Sequence, residues 1–517
     1  MFRRDSAKFD GGFGEPGEGK EGSAGRLAMP FDPGPGGGGR AKSGEATHRT
    51  EPASSTRTRA RGKGASRAPA KQEETPANSF RPAVEPHWTL PIGLTGRYLV
   101  ALEDIGRPEG MRTLKELAGP HVAMAQDITF GTEGAPSASL DLGGADAVFI
   151  EELGVAVVAG TTETQRISGA AARISAVAGW EPERILHAIQ AVETIDPVFL
   201  AGFRAGVNAV ADALQGVASP GAWPGLGAGL PGFEDDARFT WGLQALGVPR
   251  STMTGRGVRV AVLDTGIDAG HPDFAQRLLH TQSFLGGKAD ADLLGHGTHC
   301  AGTLGGPMAS IQGRRYGVAP DVELYIGQVL GGPGGTGTDG SILNGIRWAL
   351  NHQCHIVSMS LGARVAADTP HSSVFERVAR RVLERGCLII AAAGNDSDRP
   401  RYIAPVSHPA NCPSIISVGA VGSSLQVADF SCGAVGTGPV DFAGPGVSVY
   451  SSFPRSQLFR TLVGTSMATP HVAGVAALTA QAQPDLRGRS LWDAMRARAR
   501  QIPPPPRDVG AGLVQAA

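Results

Sequence analysis

Short apolar runs and longer amphipathic segments alternate along the chain from about residue 240 to the C-terminus. The apolar runs predict buried strands at Val258–Leu263, Glu323–Val329, Ile356–Leu361, Leu388–Ala392 and Ile415–Val418. The segments between them predict helices at His299–Gly305, Ser341–His352, Ser372–Arg385, Pro470–Gln481 and Ser490–Arg500. Strands that alternate with helices in this way favour a mostly parallel central sheet with helices on both faces.

Residues 91–214 carry shorter patterns of both kinds. They predict strands at Arg97–Leu102 and His121–Ile128, a helix at Gly110–Leu117, and a hairpin of Ala147–Glu152 with Val155–Val158. Helical patterns follow from Thr161 onward, at Glu181–Ile195 and at Asp196–Leu214. Strands and helices interleaved over a short span predict a small α+β domain.

Two further segments have few large apolar residues. Residues 1–90 are of low complexity, with a glycine- and proline-rich run at 34–39 and a basic run at 57–71. They bury too little apolar surface to offset the entropy of ordering, so we expect a disordered arm, either a tether for a partner or an inert extension. Residues 215–239 are rich in Gly, Pro and Ala and predict an exposed linker.

Composition excludes several classes of partner. The 517 residues carry a formal net charge of −1, which gives no reason to expect nucleic acid or an anionic membrane as a partner. No apolar run reaches the ~18 residues of a transmembrane helix, and residues 1–8 lack the apolar core of a secretory signal. Five cysteines are an odd, sparse set that suits a reducing compartment. The expected location is cytoplasmic or reached by non-classical export.

Three glycine-flanked motifs carry the chemistry. Asp264 ends the apolar run that begins at Val258, so it is expected at the carboxyl end of a buried strand. His296 stands in Gly-His-Gly-Thr-His, ahead of a helix of small residues. Ser466 precedes a buried helix, at the positive end of its dipole. An acid, a base and a nucleophile in the order Asp264, His296, Ser466 indicate nucleophilic catalysis, in the order that subtilisin uses.

These residues also allow other interpretations. A serine before a helix often only caps it. Asp268 and His299 are alternatives for the acid and the base, but neither stands at the strand end or in the Gly-His-Gly-Thr pattern. A metal site at His271, His296 and His299 lacks the spacing of zinc proteases. Cys300 is interpreted as a small core residue.

With these motifs, residues 240–517 resemble the catalytic domain of the subtilisin-like serine proteases, the subtilase family. The matching motifs are Asp264-Thr-Gly, His296-Gly-Thr-His, Ala391-Ala-Ala-Gly-Asn395 and Gly464-Thr-Ser466-Met-Ala-Thr-Pro. The resemblance implies a subtilisin-like three-layer α/β fold with a mostly parallel central sheet. It also implies catalysis by Asp264, His296 and Ser466, with Asn395 as the side-chain donor of the oxyanion hole.

The resemblance further implies where a peptide substrate binds. The walls of the S1 pocket, which holds the residue before the scissile bond, would be Ser360, Leu361 and Gly362 on one side and Ala392, Ala393 and Gly394 on the other. The strand pairing with the substrate backbone would include Leu330, Gly331, Gly332, Gly334 and Gly335. Small residues around S1 suggest a roomy apolar pocket and broad specificity.

From their place ahead of the peptidase domain, residues 91–214 resemble a subtilase propeptide, which acts as chaperone and inhibitor. The linker 215–239 is then the expected site of activation cleavage. No cofactor is required. Structural calcium is common in the family, but residues 305–316 offer no acidic ligand set.

The predicted function is therefore that of a serine endopeptidase acting on polypeptides and made as a zymogen. The alternatives are a processing protease dedicated to one partner peptide and an inactive peptide-binding protein of the same fold. The natural substrate, the preferred residue at S1, the compartment and the role of residues 1–90 are left open by the sequence.

Overall fold

The structure is a computed structural model that describes residues 93–128, 141–160, 174–189 and 232–517. Several sequence predictions lie outside these residues: the arm 1–90, the helical patterns at Thr161 and Asp196–Leu214, and the linker up to residue 231. None of the helices in the described residues combines the length and the apolar character needed to cross a membrane.

The N-terminal part of the described chain is a mixed sheet with one long helix. Its elements are β1 (Leu94–Leu102), α1 (Arg107–Ala118), β2 (Val122–Met124), β3 (Ala147–Ile150), β4 (Val155–Val158) and β5 (Val177–Ala188), with 3-10 turns at Ala125–Asp127 and Glu151–Leu153. The strands pair in the order β5-β1-β4-β3-β2, and only β2 and β3 are parallel. The predicted first strand, first helix and hairpin are confirmed.

The helix predicted at Glu181–Ile195 is wrong over the residues that the structure describes. Glu181–Ala188 belong to β5, in which Glu181 pairs with Leu99 of β1 and Trp180 with Val100. Cross-strand partners and burial decide the conformation here, because tertiary context overrides a weak local helix preference.

The C-terminal part carries the remaining elements. Its strands are β6 (Arg259–Asp264), β7 (Leu279–Ser283), β8 (Glu323–Gln328), β9 (Thr336–Thr338), β10 (Ile356–Met359), β11 (Leu361–Gly362), β12 (Leu388–Ala392), β13 (Ile416–Val421), β14 (Phe442–Pro445), β15 (Val449–Ser452) and β16 (Phe459–Leu462). Its helices are α2 (Trp241–Ala245), α3 (His296–Gly305), α4 (Asp339–Asn351), α5 (Ser373–Glu384), α6 (Thr465–Ala482), α7 (Gly488–Arg498) and α8 (Pro506–Val509), with a 3-10 turn at Val248–Arg250.

Seven strands form the central sheet, in the order β14-β13-β12-β10-β6-β8-β7. Each neighbouring pair in this order is parallel. The inner strands are buried on both faces, as the continuous apolar run of β12 illustrates. The predicted three-layer architecture is confirmed, and the carboxyl ends of β6, β10 and β12 meet at one edge, where sites form in such sheets.

The N-terminal sheet is apolar on both faces because each face is covered. On one face Val100 and Leu102 of β1 pack with Leu114 of α1. Leu99 and Ala101 point the opposite way and belong to the core that includes α4 and α5. Alternate residues of one strand therefore serve two cores. The second of these cores joins the N-terminal sheet to α4 and α5, which pack on a face of the central sheet formed by β6, β10 and β12.

Helix α6 packs closely on α3, and a glycine permits the approach. Sixteen residues of α6, from Thr465 to Ala480, are buried. A methyl group built on Gly474 would lie 2.6 Å from Cβ of Val318 and 3.3 Å from the carbonyl oxygen of Leu304, a residue of α3. The absence of a side chain at Gly474 thus lets the helices that carry Ser466 and His296 approach closely.

We expect Gly474→Val to destabilise the protein by about 1–3 kcal/mol, because the added methyl groups overpack the contact with α3. The measurement is thermal unfolding in a Ser466→Ala background, which prevents self-digestion. Ala482→Val, at the exposed last residue of the same helix, is the matched control. A melting temperature equal to that of the control would contradict the proposed role of Gly474.

Candidate active site

Two of the three predicted catalytic side chains are joined by a hydrogen bond. Asp264 is the last residue of β6 and His296 is the first residue of α3, and both are buried. Nδ1 of His296 lies 2.7 Å from Oδ1 of Asp264. A carboxylate only accepts hydrogen bonds, so Nδ1 carries the proton and a neutral His296 presents Nε2 as a base.

The surroundings of His296 and of His299, the alternative base, shift their pKa values in opposite directions. Burial by itself lowers the pKa of His296, but the charge of Asp264 and its hydrogen bond outweigh burial and raise that pKa well above 6.5. For His299 burial prevails and lowers the pKa to about 3. Its Nε2 lies 3.0 Å from the carbonyl oxygen of Val449, which makes it a structural core histidine.

Asp292, which the sequence analysis missed, connects the strand of the acid to the helix of the base. Its Oδ1 accepts from the hydroxyl of Thr265 at 2.9 Å and from the main-chain N–H groups of Leu294 and Gly295 at 3.1 and 2.9 Å. Its Oδ2 accepts from the N–H and the hydroxyl of Thr298 at 2.9 and 2.7 Å. Burial raises the pKa of Asp292 against the effect of these donors. An acid shortly before the histidine is a helix-start signal that could have been noticed.

Ser466 lies in the first turn of α6, which begins at Thr465, earlier than the predicted Pro470. Its Oγ is within hydrogen-bonding reach of two carbonyl oxygens, that of Ser360 at 3.0 Å and that of Ile189. The structure also leaves the buried Nε2 of His296 without a hydrogen-bond partner among the described residues. The hydroxyl therefore faces a peptide carbonyl of this same chain.

A proline within α6 explains how the helix start is held. Pro470 has no N–H to donate to the carbonyl oxygen of Ser466, one helical turn earlier. That oxygen accepts instead from the hydroxyl of Ser360 at 2.8 Å and lies 3.6 Å from Sγ of Cys300. Pro470 thus frees a carbonyl that connects the turn of Ser466 to Ser360, which lies between β10 and β11, and to the helix of His296.

Asn395 contacts both the carbonyl oxygen of Ile189 and the start of α6. Its Nδ2 donates to the carbonyl oxygen of Ile189 at 3.2 Å. Its Oδ1 accepts from the N–H and the hydroxyl of Thr465, both at 2.9 Å. Thr465 therefore orients the amide so that its NH₂ group faces the carbonyl. Ser466 and Asn395 thus contact the same carbonyl oxygen from two sides.

The end of strand β5 lies in a cleft between two short strands, and this places the carbonyl of Ile189 against Ser466 and Asn395. Its last residues pair antiparallel with β9 on one side and with β11 on the other. Ala188 donates its N–H to the carbonyl oxygen of Gly335 at 3.0 Å, and Ile189 donates to that of Ser360 at 3.3 Å. A peptide bound by main-chain pairing on both edges is held in the manner of an extended substrate.

One of the two predicted S1 walls lies against the side chain of Ile189. Leu361 and Gly362 pair with Ala188 and His187, and a methyl group on Gly362 would lie 2.8 Å from Cδ1 of Ile189. The opposite segment, Ala392, Ala393 and Gly394, continues β12 towards Asn395. A methyl group on either Gly362 or Gly394 would also meet Ser407, a residue that the sequence analysis missed. Ser407 therefore lies next to both walls.

The glycine-rich segment is only partly where the resemblance placed it. Backbone pairing with β5 uses Gly335 and β9, Thr336–Thr338. Leu330, Gly331 and Gly332 instead line an adjacent apolar cavity together with Pro333, and Gly334 follows in the same loop. The expected pairing strand is displaced towards the C-terminus because Gly332 and Gly335, with φ of 65° and 58°, turn the chain first.

Cys300 is the cysteine that lies at the site, with its Sγ 3.9 Å from Nδ1 of His296. All five cysteines, Cys300, Cys354, Cys387, Cys412 and Cys432, are buried and unpaired. Within the described part of the chain, the side chains that cluster at metal-binding distances are Asp264, His296 and Cys300, and the first two are joined by the hydrogen bond described above. Calcium also binds main-chain carbonyls, so the expectation about calcium stays a prediction.

Comparison with known proteins points to the same family as the sequence motifs do. A sequence model described as "Subtilase family" matches residues 255–512. The chain is 38% identical to the major intracellular serine protease of Bacillus subtilis (strain 168) over 229 residues, which are 43% of this chain and 68% of that protein. It is 40% identical to the M-protease of Shouchella clausii (strain KSM-K16) over 262 residues, 48% of this chain and 64% of that protein.

A third relative is covered more completely. Subtilisin Savinase of Lederbergia lenta is 40% identical over 248 residues, which are 47% of this chain and 85% of that protein. Identity at this level over most of a relative's length shows that the chain belongs to the subtilase family of serine-type endopeptidases.

Proposed function

We propose that the protein hydrolyses peptide bonds through an acyl-enzyme, with Asp264, His296 and Ser466 as the triad. The observation that supports this most strongly is the carbonyl of Ile189, which is contacted by both the hydroxyl of Ser466 and the amide of Asn395. A helix cap or a structural serine would not require a peptide carbonyl at that position.

In the proposed mechanism Ser466 first rotates about χ1, so that its proton passes to Nε2 of His296 as Oγ attacks the carbonyl carbon. The electron pair of the C=O bond moves to the oxygen, where Asn395 and the N–H of Ser466 stabilise the oxyanion. The imidazolium, stabilised by Asp264, then gives the proton to the leaving amine. Water, deprotonated by His296, hydrolyses the acyl-enzyme and regenerates the hydroxyl.

We also propose that the protein is made as a zymogen, with residues 93–189 as its inhibitor. The support is that β5 fills the cleft that a substrate would need. Polar contacts add to the shared apolar core: Glu183 accepts the N–H of Gly340 at the start of α4, at 3.0 Å, and Arg184 donates its N–H to Asp339 at 2.8 Å. A carboxylate at a helix N-terminus is favoured by the helix dipole.

The same contacts favour an activation site other than the linker 215–239. With Ile189 at S1, the bond facing Ser466 is Ile189–Gln190, so we propose that the first cut is made there. The prediction of cleavage in the linker rests only on its glycine and proline content, which indicates exposed backbone. Exposure allows cleavage by other proteases, whereas cleavage by the chain itself requires a bond held against the catalytic serine.

Polypeptides are the proposed substrates and the N-terminal part is the proposed internal partner. No residue in the mechanism needs a cofactor to act. The dedicated processing protease and the inactive peptide-binding protein are not favoured by any specific contact in the site, and the second would be supported if Ser466 failed to react.

The first prediction concerns processing. The full chain should release a fragment that ends at Ile189, and Ser466→Ala should remain uncleaved. Intact-mass analysis at short times identifies the C-terminus of the first fragment. Ser456→Ala, at an exposed serine, is the matched control and should process normally. A first cut within 215–239 that leaves Ile189–Gln190 intact would contradict the proposal.

The second prediction concerns Asn395. In the processed enzyme Asn395→Ala should lower kcat by roughly 10²–10³-fold with KM little changed, a magnitude carried over from the corresponding donor of subtilisin. The physical reason is that the amide is aimed at charge that develops only in the transition state. Steady-state kinetics on a peptide amide measures the effect. A change confined to KM would show that Asn395 only binds substrate.

The third prediction concerns pH. Because Asp264 raises the pKa of His296 above 6.5, the imidazolium persists to higher pH, and kcat/KM should rise with pH through a midpoint above 6.5. Burial lowers the pKa values of His299 and His471 to about 3 and 4. Both therefore stay neutral over that range and cannot cause the rise in kcat/KM. A pH–rate profile is the measurement, and a midpoint at or below 6.5 would contradict the assignment.

A further inference from the structure

Asp292 is a buried acid that takes no part in the proposed mechanism. Its side chain is almost without solvent contact, and its two oxygens accept five hydrogen bonds. Such a group is a carboxylate, because a protonated carboxyl group would have to donate one of these bonds. A second negative charge is therefore buried close to the pair of Asp264 and His296, where burial is costly unless the charge is held by donors.

Thr265 connects this carboxylate to both members of the pair. Its hydroxyl donates to Oδ1 of Asp292 at 2.9 Å and accepts from the main-chain N–H of Gly297, the residue after His296, at 2.9 Å. Its own N–H donates to Oδ1 of Asp264 at 2.7 Å, the oxygen that also accepts from Nδ1 of His296. Because a hydroxyl has one proton, donation to Asp292 turns its lone pairs towards Gly297.

We propose that Asp292 is a positioning residue for the peptidase reaction, which acts through Thr265 to hold the carboxylate of Asp264 and the ring of His296 at bonding distance. This inference rests on the proposed function and adds a residue to the same site. Asp264 ends β6 and His296 begins α3, so the distance between them depends on how these two elements are joined. Asp292 and Thr265 provide polar contacts at this junction.

The junction has little apolar packing of its own. A methyl group built on Gly297 would overlap the carbonyl oxygen of Gly266, two residues after Asp264, so main chain meets main chain here. Hydrogen bonds therefore have to set the spacing. The N–H and the hydroxyl of Thr298, in the first turn of α3, both donate to Oδ2 of Asp292, at 2.9 and 2.7 Å. One carboxylate thus holds the helix on one oxygen and Thr265 on the other.

A simple helix cap would not need all of these contacts. Capping requires an acceptor for free N–H groups at the start of α3, which Oδ2 of Asp292 provides to Thr298. The bond from Oδ1 to the hydroxyl of Thr265 reaches a different element, the one that carries the catalytic acid. Removing this hydroxyl would leave the cap in place but break the connection between the two elements, so the two roles can be separated by experiment.

The test follows the Nδ1–H resonance of His296 by proton NMR in the full chain with Ser466→Ala, which does not depend on activity. Asp292→Asn keeps the shape of the side chain but replaces one acceptor by an NH₂ group, and Thr265→Val removes the hydroxyl. We expect either change to move the resonance upfield and to speed its exchange with water. Thr265→Ser keeps the hydroxyl and should restore the resonance.

Thr303→Val is the matched control. Thr303 is also a buried threonine and lies in α3, but its hydroxyl donates within the helix, to the carbonyl oxygen of His299 at 2.9 Å. The control should leave the resonance of His296 unchanged. Thermal unfolding of every variant shows that it is folded, and if Asp292→Asn does not fold, the comparison of Thr265→Val with Thr265→Ser decides.

Kinetics of the processed enzyme give a second readout. Asp292→Asn and Thr265→Val should lower kcat on a peptide amide by roughly 10- to 100-fold with KM little changed. The reason is that a displaced base slows the chemical step, whereas the main-chain pairing that binds the substrate is not altered. Thr303→Val should leave kcat unchanged.

The outcomes separate this inference from the proposed function. If Thr265→Val leaves the resonance of His296 and kcat unchanged, or if Thr303→Val changes them as much, Asp292 only caps α3 and the inference is wrong, while the peptidase mechanism stands. A change confined to KM would also contradict it. If a fluorophosphonate does not label Ser466 in the wild-type protein, the proposed function itself is wrong.

Discussion

The hydrogen bond between Asp264 and His296 is the interaction on which the rest of the site depends. A carboxylate and an imidazole, both nearly without solvent contact, would be costly to bury separately, and each is stabilised by the other. The bond also holds one tautomer, which leaves Nε2 as the basic atom. Asp292 supports the pair by connecting the end of β6 to the start of α3. Several buried polar groups of the fold therefore act together to orient one ring.

The second constraint is backbone pairing on both edges of β5. Main-chain hydrogen bonds recognise an extended peptide without regard to most of its side chains, which suits a peptidase. Because this recognition does not depend on most side chains, a segment of the same chain can also bind in the cleft. Charged residues of β5 then contact the start of α4, and the N-terminal sheet adds an apolar face against α4 and α5. In the proposed zymogen, inhibition and substrate recognition thus use the same edges.

The sequence predicted those parts of the molecule whose signals are local. Asp264, His296 and Ser466 stand in short motifs with glycine neighbours, and the inner strands of the central sheet are continuous apolar runs. Asn395 is predicted from a motif of the family; the structure shows its contact to Ile189, and its role stays a proposal. The starts of α3 and α6 were predicted too far along the chain, because small and polar residues there carry little periodicity.

What the sequence could not predict depends on partners that are distant along the chain. Glu181–Ala188 has no strand pattern of its own, and it becomes a strand because β1, β9 and β11 offer edges to it. Ser407 is next to S1 only because two glycine segments fold against it. The displacement of the pairing strand to Thr336–Thr338 follows from two glycines with positive φ, which the sequence permits but does not require.

The most direct test of the central claim is proton NMR of the Nδ1–H of His296 in the Ser466→Ala protein. A short hydrogen bond to a buried carboxylate should give a resonance far downfield that is protected from exchange with water and disappears in both His296→Ala and Asp264→Asn. If no such resonance is present, or if it survives Asp264→Asn, the two side chains are not coupled as described and the assignment of His296 as the oriented base fails.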